Sequence, residues 1–449
     1  MSRLNRQEKA GSLCLHGFGL APMPLLDVNT LPRMLRVRQD FPKSEPLDIS
    51  TSVNEQITMV SDRLTPGARV ALTVGSRGIA NIKAIVLAVL GELKAAGVKP
   101  FIVPAMGSHG GATPEGQKRI LEDYGITEET MGVSIEADMA AREIGRTSDG
   151  IPAFTSSAAL SADGIVVLNR VKPHTDYFSQ SIGSGLIKMM VVGMGKHDGA
   201  ASFHRTAVHH GYEGTLKMLG RVVLDNAPIL FGIGLVENQY HETVRLEAVL
   251  PENIEPKEKE FLEHSASLMP GLPFEEMDLL IVDRIGKNIS GVGMDPNVIG
   301  RHAHHYSTLL NNELKSTPFI RRIFVRDLTS QTHGNAIGIG LADATHVKLV
   351  DQMDTQSTFI NVRTSLTLHS AKLPMYFPSD REAICAMLDT LGLEKPSEAR
   401  IVRISNTLEL AQFEVSESLA EIAKSKDGLS LESDSFEWTF DSEDNLQDL

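Results

Sequence analysis

The stretch RVALTVGSRG (69–78), with NIKAIVLAVLGELKAA (81–96) and PFIVPAMGSHGG (100–111) after it, decides the fold class. The first run is apolar and β-branched and stops at Gly75, which suits a buried strand. In the second, Ile82, Ile85, Val86, Val89, Leu90 and Leu93 recur at helical spacing. The third returns to a short apolar run. Strand, helix and strand within this length predict a βαβ unit in a parallel sheet. GIVVLN (164–169) and ILFGIGLV (229–236) predict further strands of the same sheet.

Residues 251–275 turn polar and proline-rich and read as a connecting helix and linker. Beyond them, DLLIVD (278–283), FIRRIFVRDL (319–328) and RIVRIS (400–405) predict strands of a second α/β layer. The expected architecture is two α/β domains with mostly parallel sheets and an active site in the cleft between them. The expected bounds are 1–260, 276–430 and an acidic tail, 431–449. That tail holds seven acidic residues and no basic one, so it is expected to fray. No internal repeat stands out.

Composition excludes several classes. A formal net charge of -14 over 449 residues argues against a nucleic-acid binder. A local basic pocket for an anionic substrate remains compatible with it. Cys14 and Cys385, far apart, make neither a CxxC metal clip nor a disulfide framework. The N-terminal stretch lacks a clean apolar core for a signal peptide, and no run is long enough to span a bilayer. A cytoplasmic protein with no membrane partner is expected; whether it forms a homo-oligomer is open.

Unusual residues collect where the predicted strands end. Strand 69–75 runs into Ser76 and Arg77, strand 100–105 into His109 between glycines, and strand 164–169 into Lys172, Pro173 and His174. Parallel sheets bind ligands outside the carboxyl ends of their strands, so one crevice should receive Arg77, His109 and His174. Thr113-Pro114-Glu115 predicts a capped helix start just after His109. Taken singly, a histidine in such a turn is as well explained by exposure to water.

Gly183 and Gly185 precede an apolar run that contains Lys188. Two such glycines suit an ordinary turn or backbone N–H groups cradling a phosphate. A lysine there reads as a snorkelling side chain or as a desolvated nucleophile and attachment point. His197, His204, His209 and His210 follow; imidazole suits nickel, zinc or copper, but the spacing matches no zinc motif.

The order Arg77, GSHGG around His109, His174, a glycine-rich loop, Lys188 and then His204 sixteen positions on resembles the lactate racemase family. The resemblance implies a nickel-pincer nucleotide (pyridinium-3-thioamide-5-thiocarboxylate mononucleotide) joined covalently to Lys188, supplied by cofactor-maturation enzymes. It implies His204 as the nickel ligand, His109 and His174 as the acid/base pair, and Arg77 beside cofactor or substrate. Ser76, Gly183 and Gly185 would line the cofactor, with Asn297, Arg301 and His302 on the substrate.

This chain departs from the family pattern in places. Val74-Gly75-Ser76-Arg77 lacks the acidic residue usual before the arginine, and Gly110 follows His109. Gly300 stands where a substrate-binding glutamine is expected, and the lysine position falls near Ala303. The resemblance implies an isomerase acting on a 2-hydroxyacid, and these departures point to one larger or more polar than lactate, such as a sugar acid, a malate-like acid or an aromatic one. Two other classes fit the same residues. One is a divalent-metal hydrolase or lyase ligated by His109, His174 and His204; the other is a non-catalytic nickel- or cofactor-binding protein.

Overall fold

A computed structural model describes residues 30–43, 45–76, 78–175, 177, 179–302 and 318–449. Arg77, and the segment after His302 that includes Ala303, lie outside the described residues.

The opening segment forms the βαβ unit its pattern predicts: strand Arg69–Val74, helix Ile82–Ala95 and strand Lys99–Pro104. The helix buries the same six apolar residues that set its period. Five strands make the first sheet, in the order Lys99–Pro104, Arg69–Val74, Gly164–Arg170, Ile229–Glu237, Thr243–Val249. All neighbours are parallel except the last pair.

Alternation along these strands feeds two cores, as expected where helices cover both faces. Val70, Leu72 and Val74 pack with the helix residues Ile85, Val86 and Val89. Ala71, Phe101, Val103, Ile165 and Val167 pack on the other face with Phe203, Leu216 and Phe261. These come from helices Lys196–His210, Tyr212–Asn226 and Ile254–Leu268.

The second sheet has eight strands, in the order Met375–Phe377, Ala344–His346, Phe319–Leu328, Glu276–Ile285, Ile401–Ile404, Gln412–Ser416, Met34–Gln39, Leu429–Leu431. The first five run parallel and the rest antiparallel. The chain is thus α/β with mostly parallel sheets. One strand departs from the division expected from the sequence. Met34–Gln39 pairs with Gln412–Ser416 and Leu429–Leu431 in the second sheet, although it precedes the first. Both partners lie near the other end of the chain, so no local pattern announces the pairing.

The acidic tail does not fray. Trp438 and Leu446 are buried, and the Trp438 indole N–H donates to the Pro32 carbonyl at 2.7 Å. Arg326 and Arg403, buried around Asp283, donate to the Leu446 and Gln447 carbonyls. The Leu446 N–H donates to Asp380 at 2.9 Å, and the Leu449 N–H to Asp283 at 3.1 Å. Composition suggested self-repulsion, but the cations that hold the tail come from distant strands, and its apolar residues complete a core. Trp438→Ala is expected to cost roughly 3 kcal/mol of stability, read as a lowered denaturation midpoint. An unchanged midpoint would mean that the tail carries no weight.

Among the described residues, no helix is long and apolar enough to cross a membrane.

Candidate active site

The parallel register pairs Val74 with Pro104 and Thr73 with Val167, so three strands end at one edge of the sheet. Gly75, Ala105 and Asn169 meet there around Met189. The Asn169 side chain donates to the Gly185 carbonyl at 2.8 Å, tying the third strand end to the glycine-rich loop. The strands that lead towards Arg77, His109 and His174 thus end side by side; Arg77 itself lies outside the described residues. Of the loop that carries Arg77, the flanks are braced: Glu237 accepts the Ala80 N–H at 2.6 Å and ion-pairs with Arg170.

His109 is half-buried, and its Nδ1 lies 2.5 Å from the Ser76 hydroxyl, which orients the ring. Gly110 has φ +66°, and a Cβ there would fall 2.5 Å from the Gly116 backbone. A larger residue would push the histidine loop off its helix. That helix, Pro114–Asp123, is capped by Thr113, whose side chain accepts the Gly116 N–H at 3.1 Å, as the Thr-Pro-Glu step predicts.

Beneath the loop sits a buried network that the sequence reading missed. Gln117 donates to the Gly107 carbonyl at 2.9 Å and to the His109 carbonyl at 3.4 Å. Lys196 is fully buried and donates to Gln117 at 3.0 Å and to the Pro104 carbonyl at 2.6 Å. Burial pulls the Lys196 ammonium down to about 8, with Asp138 pulling the other way. Lys196 also has φ +54°, a left-handed conformation that costs energy for a side-chain-bearing residue. A lysine directly after Met194 and Gly195 was the available signal.

Lys188 ends a short helical turn, Leu186–Lys188, which continues as a π-helical turn, Met189–Gly193. Such turns are rare and are frequent at functional sites. The Gly107 N–H donates to the Gly193 carbonyl at 3.0 Å, so the His109 loop packs directly on this turn. The Lys188 amine hydrogen-bonds His174 Nε2. Two residues that sequence order separates by fourteen positions are thus in contact, one half-buried and one buried.

Aromatic rings carry the site onward from His174. Its ring stacks on Tyr177 at 4.5 Å, and Tyr177 stacks on Tyr212 at 5.0 Å. Tyr212 also lies 5.9 Å from His174 and meets the half-buried His204 edge-on at 6.4 Å, ring centre to ring centre. Tyr212 therefore stands between His174 and His204. His197, His209 and His210 are exposed and stand apart from this arrangement.

Gly183 and Gly185 take a role other than an open phosphate cradle. Glu258, fully buried on helix Ile254–Leu268, puts its carboxylate where a Cβ on Gly185 would be, at 2.5 Å. The Ile187 N–H donates to it at 2.8 Å, and the Leu186 and Gly183 N–H groups also favour its charged form. Burial outweighs them and pushes the Glu258 carboxyl up to about 8. The polar run around Glu258 reads as part of a connecting helix and linker. Helical spacing nevertheless puts Glu258 in one stripe with Ile254, Phe261, Leu262 and Ser265, and that misplaced carboxylate was the signal.

From the second sheet, the Asn297 side chain donates to the His174 carbonyl at 3.4 Å. Arg301 faces elsewhere. Its guanidinium is held by Asp343 at 2.6 Å and by the Leu341 carbonyl at 2.7 Å, so its donors brace strand Phe319–Leu328. Position along the loop suggested substrate contact, but the long side chain finds a fixed carboxylate first. His302 is half-buried.

Comparisons with known proteins agree with this geometry. Residues 43–215 match the model of the lactate racemase N-terminal domain. The structure of the lactate racemase apoprotein from Thermoanaerobacterium thermosaccharolyticum superposes with a TM-score of 0.52 at 12% identity, covering 84% of this chain and 98% of that one. At that identity it speaks for the fold alone. No curated protein matches. The matched stretch spans the strand ends, His109, His174, Lys188 and His204, so this part of the chain is similar to the lactate racemase N-terminal domain.

Proposed function

We propose that this protein is a racemase or epimerase that inverts the C2 centre of a 2-hydroxyacid other than lactate. The observation that carries the reading is the grouping of an amine and two imidazoles around one aromatic ring: Lys188 on His174, and Tyr212 between His174 and His204. That donor set suits a nickel-pincer nucleotide, with Lys188 as its point of attachment and His204 as the protein ligand to nickel. When bound, such a group supplies a reversible acceptor for the C2 hydride.

The chain's own residues handle the proton. Removing an α-proton beside a carboxylate would leave a costly carbanion. Taking the hydroxyl proton as the C2 hydrogen departs with its electron pair leaves a planar 2-keto group instead. Enantiomers present their hydroxyls on opposite sides, so two bases are needed, and His109 and His174 fill those places. An imidazole with an ordinary pKa near roughly 6.5 serves in both directions. Asn297, whose side chain reaches the His174 carbonyl, would contact substrate, and His302 lies further along its loop.

The proposed organisation has units 1–260 and 276–430 closing on a cleft, with the strand Met34–Gln39 contributed to the second unit. Closure would exclude water from the 2-keto stage. Cofactor-maturation enzymes would be the protein partners. The hydrolase or lyase reading needs three convergent ligands. It would show activity with metal alone and no adduct on Lys188.

The test is a panel of 2-hydroxyacids deuterated at C2, offered to cofactor-loaded protein in ordinary water and followed by chiral separation. Inversion with the label retained is expected. Label lost to solvent would mean that C2 is deprotonated, and no inversion of any acid by a loaded protein would sink the racemase reading. Lactate as the best substrate would overturn the substrate class.

A further inference from the structure

We propose that Glu258 is a positioning residue: it sets the start of the helical turn that carries Lys188 and so directs the Lys188 amine at His174. The inference rests on Lys188 being the attachment point, as proposed above.

A helix start leaves its first N–H groups without partners inside the helix. Here the Ile187 N–H, one residue before Lys188, donates to Glu258 at 2.8 Å. The acceptor comes from a helix more than sixty positions away, so it fixes the turn against the body of the domain and not merely against itself. Gly185 has no Cβ because the Glu258 carboxylate takes that space, and the Gly183 site is filled by the Lys172 carbonyl and Leu262. Lys172 N–H and carbonyl both pair with Ser184, which joins the His174 strand to the same loop. Glu258 therefore sits under both ends of the Lys188–His174 contact, touching the backbone before the lysine and the loop paired to the strand before the histidine. Glu258 is buried, and among the described residues the hydrogen bonds its carboxylate accepts come from this loop and turn.

The test compares wild type with Glu258→Gln, Glu258→Ala and Glu258→Asp, each with its melting temperature recorded. The first readout uses apoprotein and needs no cofactor: acetylation of Lys188 by N-hydroxysuccinimidyl acetate, measured by peptide mass against the exposed Lys395. Glutamine keeps the length and an acceptor for the Ile187 N–H, so labelling within about threefold of wild type is expected. Alanine and aspartate lose that reach, and a drop of about tenfold is expected, the scale of losing one hydrogen bond to a charged group. If alanine does not fold, aspartate carries the comparison. The second readout is the fraction of protein carrying a nucleotide-sized mass after co-expression with maturation enzymes, expected to follow the same order. Folded alanine or aspartate variants that label like wild type overturn the proposal, as does a glutamine variant that falls as far as alanine. A wild type that labels as expected but never takes up the nucleotide would count against the cofactor reading and leave Glu258 in place.

Discussion

Lys188→Ala is expected to abolish inversion and, with it, both bound nickel and the nucleotide-sized increase in intact mass. The reason is covalent: Lys188 offers an amine held against His174. Lys196, the nearest rival in burial, is fully enclosed and already committed to Gln117 and the Pro104 carbonyl. The measurement is intact-protein mass and nickel content after co-expression with cofactor-maturation enzymes, beside a loaded lactate racemase as positive control. An adduct that survives in the alanine variant would move the attachment elsewhere. A wild type without adduct or nickel, while the control is loaded, would favour an enzyme that works with metal alone.

His109→Ala and His174→Ala should each lower kcat for inversion by about 10²- to 10⁴-fold, the usual worth of a positioned acid or base. Both variants should still take up the nucleotide, because neither residue is the attachment point. Their single-turnover behaviour should differ. Each variant should still oxidise to the 2-keto acid the one enantiomer whose hydroxyl faces the histidine that remains. Rapid-quench assays with each pure enantiomer would read this directly. Equal losses for both enantiomers in both variants would show that the two histidines do not divide the faces between them. Ser76→Ala should produce a weaker version of the His109 defect, since the ring would lose the hydroxyl at 2.5 Å that orients it.

The periodic segments were legible because each is governed by its own neighbours in sequence. In helix Ile82–Ala95 the apolar stripe identified the element and the face it buries. Strands Arg69–Val74 and Gly164–Arg170 lie buried on both faces, and their continuous apolar runs announce it. The strand ends were legible too, in that Gly75, Ala105 and Asn169 lie together at one edge of the sheet. The partners of Asn297 and Arg301 were not legible: Asn297 reaches the His174 carbonyl, and Arg301 is held by Asp343, forty-two positions away.

What the sequence determined alone was therefore the α/β class, the parallel edge at which the strands end, and the order of residues that carries the resemblance to lactate racemases. Tertiary structure alone decided the rest. It placed Met34–Gln39 in the second sheet, docked the acidic tail on Arg326 and Arg403, and buried Glu258 beneath the Lys188 turn. The physical reason is common to all three. Local pattern reports how a segment divides itself between water and core, but a charge or a strand edge is satisfied by whichever partner the fold brings near, and that partner is distant in the chain.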